Sequence, residues 1–202
     1  MRLGLFGGSF DPVHLGHLLL AESCREQERL DEVWFVPAAV SPFKQHQDRT
    51  AAAQRVDMLE LAVGGHEAFR VCRMEIDRGG VSYTVDTLAE LKQSRPADEL
   101  FFLLGADALA DLPEWREPRR ILELATPLVV RRPGSPELDF SRLSEIASAA
   151  RIAQIRGLQI EMPQIDISSR DLRQRVAEGR SIRYRTPRSV EKYIETAGLY
   201  RS

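Results

Sequence analysis

Short apolar runs alternate with longer stretches of helical period along this chain. Residues 3–6, 33–36, 100–104 and 128–130 are brief hydrophobic segments set among polar or turn-forming residues, the pattern of strands buried on both faces of a sheet. Between them, 15–30, 51–63, 84–92 and 118–124 carry apolar residues at helical spacing. This β-α-β-α rhythm predicts an α/β fold: an open, mostly parallel sheet with helices on both faces and right-handed crossovers. Farther on, 134–150 reads as a loop and helix, 158–162 as a last strand, and 168–179 and 188–197 as two closing helices. Residues 164–202 are therefore expected to form a small helical C-terminal subdomain of a single domain spanning 1–202. No repeat, low-complexity tract or long linker interrupts the pattern.

Composition narrows the function classes. The 202 residues are 43% hydrophobic and 29% charged, with 28 Lys and Arg against 30 Asp and Glu, a net charge of −2. Such a balance argues against a protein that coats nucleic acid or adheres to an anionic membrane. No apolar run approaches the ~18 residues of a membrane span, and glycines at 4, 7 and 8 break the start before a signal-peptide core develops, so a cytoplasmic location is expected. Cys24 and Cys72 stand in no CxxC or metal spacing and are expected to be reduced structural thiols. The charge is uneven, however. Residues 1–150 carry 17 basic and 24 acidic side chains, whereas 151–202 carry 11 and 6. The excess concentrates between Arg170 and Arg188, either as a solvated basic face or as one turned toward phosphate.

Ligands of open parallel sheets bind beyond the carboxyl ends of the strands, which directs attention to the turn after the first strand. It reads Gly7-Gly8-Ser9-Phe10-Asp11-Pro12-Val13-His14-Leu15-Gly16-His17. Neither GxGxxG nor GxxxxGK[ST] is present, so a dinucleotide fingerprint and a P-loop are both disfavoured. Propensity predicts a helix with Asp11 as N-cap, Pro12 at the first helical position, and Phe10 and Leu15 as a hydrophobic staple. His14 and His17, three apart, then share one face near the positive end of the helix, where anions are favoured. Gly7 and Gly8 lack side chains and let a phosphate approach the backbone. The arrangement suits a polyphosphate. A zinc site built from Asp11, His14 and His17 is the competing reading, with no HExxH or further Cys or His in support.

This eleven-residue opening resembles that of the HxGH nucleotidylyltransferases, and more narrowly the bacterial nicotinate-nucleotide adenylyltransferases. The likeness spans nearly the whole chain. Residues 37–44 resemble the family's proline-rich loop ending in a lysine, here Lys44; Ser82-Tyr83-Thr84 and Gly105-Ala106-Asp107 resemble its nucleotide-contacting turns. Trp115, Ile167-Ser168-Ser169 through Arg173, and Gly198-Leu199-Tyr200 complete the set. Two positions depart from the pattern: Phe43 stands where histidine is common, and Arg170 where threonine is usual.

The resemblance implies a Rossmann-like fold and transfer of AMP from ATP to nicotinate mononucleotide, giving deamido-NAD and pyrophosphate. Another acceptor, nicotinamide mononucleotide or phosphopantetheine, and a non-catalytic nucleotide sensor are the alternatives. The nucleophile would be a phosphate oxygen already largely ionised at neutral pH, so no catalytic base is needed, only donors and cations that hold two polyanions in line. The implied catalytic set is His14, His17, Lys44 and Arg173. Gly7, Gly8, Ser9, Phe10, Gly105, Asp107, Ile167, Ser168 and Ser169 would join His14, His17 and Arg173 around ATP. Ser9, Lys44, Tyr83, Thr84 and Trp115 would hold the mononucleotide. Mg²⁺ would arrive with ATP, keeping several waters, so no protein metal site is expected. Ser168 with Asp171 reads as a capping box, and Ile167 with Leu172 as its staple. Asp107 serves either a ribose hydroxyl or the N-cap of the next helix, and Trp115 either stacks on the pyridine ring or anchors its loop. The sequence leaves room for a homo-oligomer.

Overall fold

The computed structural model describes residues 1–42, 50–131 and 138–201. Six strands form one sheet: β1 (Arg2–Gly8), β2 (Glu32–Pro37), β3 (Phe69–Val71), β4 (Glu99–Gly105), β5 (Thr126–Arg131) and β6 (Gln159–Glu161). Their order is β3-β2-β1-β4-β5-β6, and every neighbouring pair is parallel. The expected strands are all present. β3 adds to them: its apolar residues Phe69 and Val71 give a single alternation, whereas around β6 the alternation runs on from Leu158 to Met162.

Side chains of successive residues leave a strand on opposite faces, and the sheet accordingly builds two cores. On one face, Phe101 and Leu103 of β4 and Leu128 and Val130 of β5 pack with helices α1 (Leu15–Gln27) and α2 (Ala52–Val63). On the other, Leu100, Phe102 and Leu104 join Val129 of β5 beneath α4 (Thr84–Ser94), which follows the short α3 (Met74–Arg78). The same second face is covered by α5 (Ala106–Asp111), α6 (Pro118–Leu124) and α7 (Ala149–Gly157). The two closing helices, α8 (Ser169–Ala177) and α9 (Arg188–Thr196), bury Leu172, Val190 and Ile194 in the first core.

The strand order reverses between β1 and β4, and this switch point fixes the binding crevice at the carboxyl ends of those two strands. Gly7 and Gly8 end β1; Gly105 ends β4.

Candidate active site

The glycine turn and the helix after it are assembled differently from the propensity-based expectation. α1 begins at Leu15, and its N-cap is His14, not Asp11; Pro12 and the Phe10–Leu15 pair do not open the helix. The chain on either side of His14, itself extended at φ −146° and ψ 170°, is held by distant segments instead. Leu15 donates its N–H to the Arg185 carbonyl at 3.0 Å, and the Thr186 hydroxyl donates to the Val13 carbonyl at 2.8 Å. Asp11 is buried and engaged elsewhere: the Tyr200 hydroxyl donates to it at 2.6 Å and the Thr50 N–H at 3.5 Å.

The two histidines cap the helix reciprocally. The His17 N–H donates to His14 Nδ1 at 3.3 Å, and the His14 N–H donates to His17 Nδ1 at 3.2 Å. The rings stack with centroids 3.6 Å apart and planes 17° from parallel. Because each Nδ1 accepts, the proton of each neutral imidazole sits on Nε2, the nitrogen farther from the helix backbone. One face of a helix end thus presents two N–H donors in a fixed tautomer. The intervening glycine belongs to the same device: a β-carbon at Gly16 would lie 3.1 Å from the His14 ring. His17 is braced on its other side by edge contacts with Phe10 and Phe6, at 5.1 and 5.8 Å between centroids.

The glycines before this device have unequal duties. A β-carbon at Gly8 would meet the Phe10 ring at 2.9 Å, so Gly8 makes room for the aromatic that folds back beneath it. Phe10 itself is 2% exposed at φ 49° and lies in the core, outside both cavities described below. At Gly7 and Gly105 nothing stands within 4 Å of such a β-carbon; both face open space in the crevice.

Two cavities flank the turn. The first, of about 700 Å³, is lined by Gly7, Gly8, Ser9, Tyr83, Thr84, Gly105, Asp107 and Trp115 among others. The second, of about 650 Å³, is lined by His14, His17, Ile167, Ser168, Ser169 and Arg173, with Arg170 beside them. Of the expected site residues that the structure describes, only Phe10 lines neither. Lys44, like the departing Phe43, lies outside the described residues. Asp107 is not an N-cap, since Gly105 holds that position on α5.

The second cavity sets two helix N-termini against each other. Ser168 caps α8 by accepting from the Asp171 N–H at 3.1 Å, as the sequence suggests. The Asp171 carboxylate does not close the capping box but faces Arg185 at 3.4 Å. α8 is fastened to the histidine turn at two points: the Ser169 hydroxyl donates to the Pro12 carbonyl and Arg173 to the Asp11 carbonyl, both at 2.8 Å. Stacked imidazoles, an arginine and two helix N-termini make this a place for an anion. With Asp11 committed to Tyr200 and Thr50, the zinc reading loses its third ligand.

Sequence reasoning missed Arg55, the largest of the fully buried side chains at 1% exposure. Its guanidinium donates to the carbonyls of Ser9 at 2.8 Å, Ala38 at 2.8 Å and Thr50 at 3.1 Å. One side chain therefore ties the glycine turn to the described chain on both sides of residues 43–49. The signal was available: Arg55 shares the buried stripe of α2 with Val56, Met58, Leu59 and Val63, where an unpartnered charge does not belong.

The cytidylyltransferase-like family model matches residues 5–175. A protein of Thermus thermophilus, named a probable nicotinate-nucleotide adenylyltransferase, is 48% identical over 202 residues, covering the whole of both chains. One of Rhodopirellula baltica with the same name is 44% identical over 98% of this chain and 93% of its own. The chain belongs to the nicotinate-nucleotide adenylyltransferase family. Among solved structures, the nicotinic acid mononucleotide adenylyltransferase of Plasmodium falciparum complexed with NaAD superposes with a TM-score of 0.75, covering 98% of this chain and 97% of that one. At 17% identity that likeness shows a shared fold. Arg170, where the resemblance led to an expectation of threonine, lines the second cavity with Arg173. No helix among the described residues is long and apolar enough to cross a membrane.

Proposed function

We propose that this chain transfers the adenylyl group of ATP to nicotinate mononucleotide, forming deamido-NAD and releasing pyrophosphate. The observation that carries this is the reciprocal histidine cap, which points two N–H donors of defined tautomer into an anion cavity beside the switch-point crevice. The triphosphate lies between the histidines and the α8 N-terminus, and the mononucleotide enters the crevice between Tyr83, Thr84 and Trp115. The attacking phosphate oxygen is ionised at neutral pH, its pKa being about 6, so the protein supplies alignment and charge rather than a base. His14 and His17 donate to oxygens around the α-phosphorus, and Arg173 grips the leaving pyrophosphate while also holding the Asp11 carbonyl. Lys44 is the further cation of the proposed catalytic set. Mg²⁺ enters as part of the substrate, with ATP, and offsets the repulsion between the two polyanions. Residues 1–202 act as one unit in this reading, because the closing helices contribute Ser168, Ser169 and Arg173.

The test is to incubate purified protein with ATP and Mg²⁺ and either nicotinate mononucleotide, nicotinamide mononucleotide or phosphopantetheine, measuring pyrophosphate and the adenylylated product. Fastest turnover with nicotinate mononucleotide is expected. Faster turnover with another acceptor would reassign the substrate, and no product with any acceptor would make the chain a nucleotide sensor.

A further inference from the structure

Among the described residues, acidic side chains outnumber basic ones in the crevice proposed above for the mononucleotide. Four acidic side chains line it, Glu75, Asp107, Asp111 and Glu114, and Glu75 is buried. Among the described residues a single basic side chain lines it, Arg116. The two pyridine mononucleotides share a cationic ring and a phosphate and differ in one group, a carboxylate against a neutral amide. Glu114 is paired with Arg142 at 3.1 Å, but the acidic side chains that remain favour the amide unless something opposes them.

Arg116 is placed to oppose them. It follows Trp115 directly, and its guanidinium lies over the Tyr83 ring, 4.7 Å from the centroid. Tyr83 is the N-cap residue of α4 and lends that helix no side-chain cap, so the leftover N–H groups of the first turn are left to other acceptors. The stack therefore sets a positive charge beside the positive end of a helix, both facing the cavity that contains the acid-rich lining. Two carboxylates face the guanidinium from outside, Asp86 at 3.4 Å and Glu117 at 3.8 Å. Both contacts are long and half-exposed, and such pairs hold an arginine loosely.

We propose that Arg116 is a specificity-determining residue that selects the nicotinate carboxylate over the nicotinamide amide. The proposal rests on the reading of the crevice as the mononucleotide site. Its charge compensates the acidic lining at the carboxylate end of the ring, while the first-turn N–H groups of α4 supply direction. The amide gains nothing from that charge.

At saturating ATP and Mg²⁺, kcat/KM is measured for both mononucleotides with the wild type, Arg116→Gln and Arg116→Lys; where the amide gives too little product, its competitive inhibition constant is read instead. In Arg116→Gln the nicotinate value is expected to fall about tenfold, through KM, with the amide value within about twofold of wild type. Arg116→Lys, which keeps the charge without the planar stack, recovers most of the loss. Equal losses for both acceptors, or no loss for either, would overturn the proposal. Failure of the underlying reading shows differently, as a wild-type protein that makes no dinucleotide from either acceptor.

Discussion

At the scale of single residues, the site depends on imidazoles doing two things at once. Nδ1 of each histidine is consumed in capping α1, and this is what presents Nε2–H to the anion cavity. His17→Ala is expected to lower kcat about 100-fold, the usual consequence of losing one preorganised donor. It should also lose about 1 kcal/mol of stability, because half of the reciprocal cap goes with it. Steady-state kinetics and urea denaturation read the two effects separately, and near-normal turnover would remove His17 from the catalytic set. The HxGH spacing and the diglycine were legible in the sequence, since both follow from local chemistry. The cap itself was not. Asp11 is the better N-cap by propensity, yet hydrogen bonds with Arg185, which accepts, and Thr186 and Tyr200, which donate, hold the turn open three residues longer.

At the scale of elements, strands and helices followed from hydrophobic period wherever a segment was long enough to show one. β3 and the short α3 were too brief, and α7 lies at 149–157 where the loop-and-helix expectation ended at 150. What the period could not reveal is how elements are fastened together at the crevice. Arg55 on α2 does this by donating to carbonyls on three segments. Arg55→Met, similar in length and apolar, leaves the buried Ala38 carbonyl and the part-buried Ser9 and Thr50 carbonyls without their donor and should cost about 3 kcal/mol in urea denaturation. A loss under about 1 kcal/mol would show that the clamp is dispensable. The basic run also resolves at this scale. Arg175, Arg180, Arg183, Arg185 and Arg188 are engaged locally, with the Ser181 carbonyl, Glu178, the Tyr184 ring, Asp171 and Glu191 respectively. Arg170 and Arg173 alone of the seven line the second cavity, so the run divides between locally paired arginines and two that face that cavity.

For the whole molecule, a sheet with a core on each face leaves its switch point as the natural crevice, and the acidic groups there bear on global stability. Burial pushes the Glu75 carboxyl above the usual carboxylate range, against opposing hydrogen bonds from Thr87 and Ser82 and the charge of Arg78. A raised folded-state value means that the neutral form is the one folding favours. The associated stability is present below the unfolded value of about 4.3 and is lost as pH rises through the higher folded value. Glu75→Gln, neutral at every pH, should therefore gain on the wild type in Tm as pH goes from about 4 to 7. A difference in Tm that does not change with pH would mean that Glu75 titrates normally.

In the mechanism proposed here, the stacked histidines and the start of α8 enclose a triphosphate. A crystal structure of the protein with a non-hydrolysable ATP analogue and Mg²⁺ tests it most directly. Phosphate oxygens are predicted within about 3 Å of Nε2 of both His14 and His17 and of the Arg173 guanidinium. Phosphates bound elsewhere, out of contact with both imidazoles, would overturn this reading.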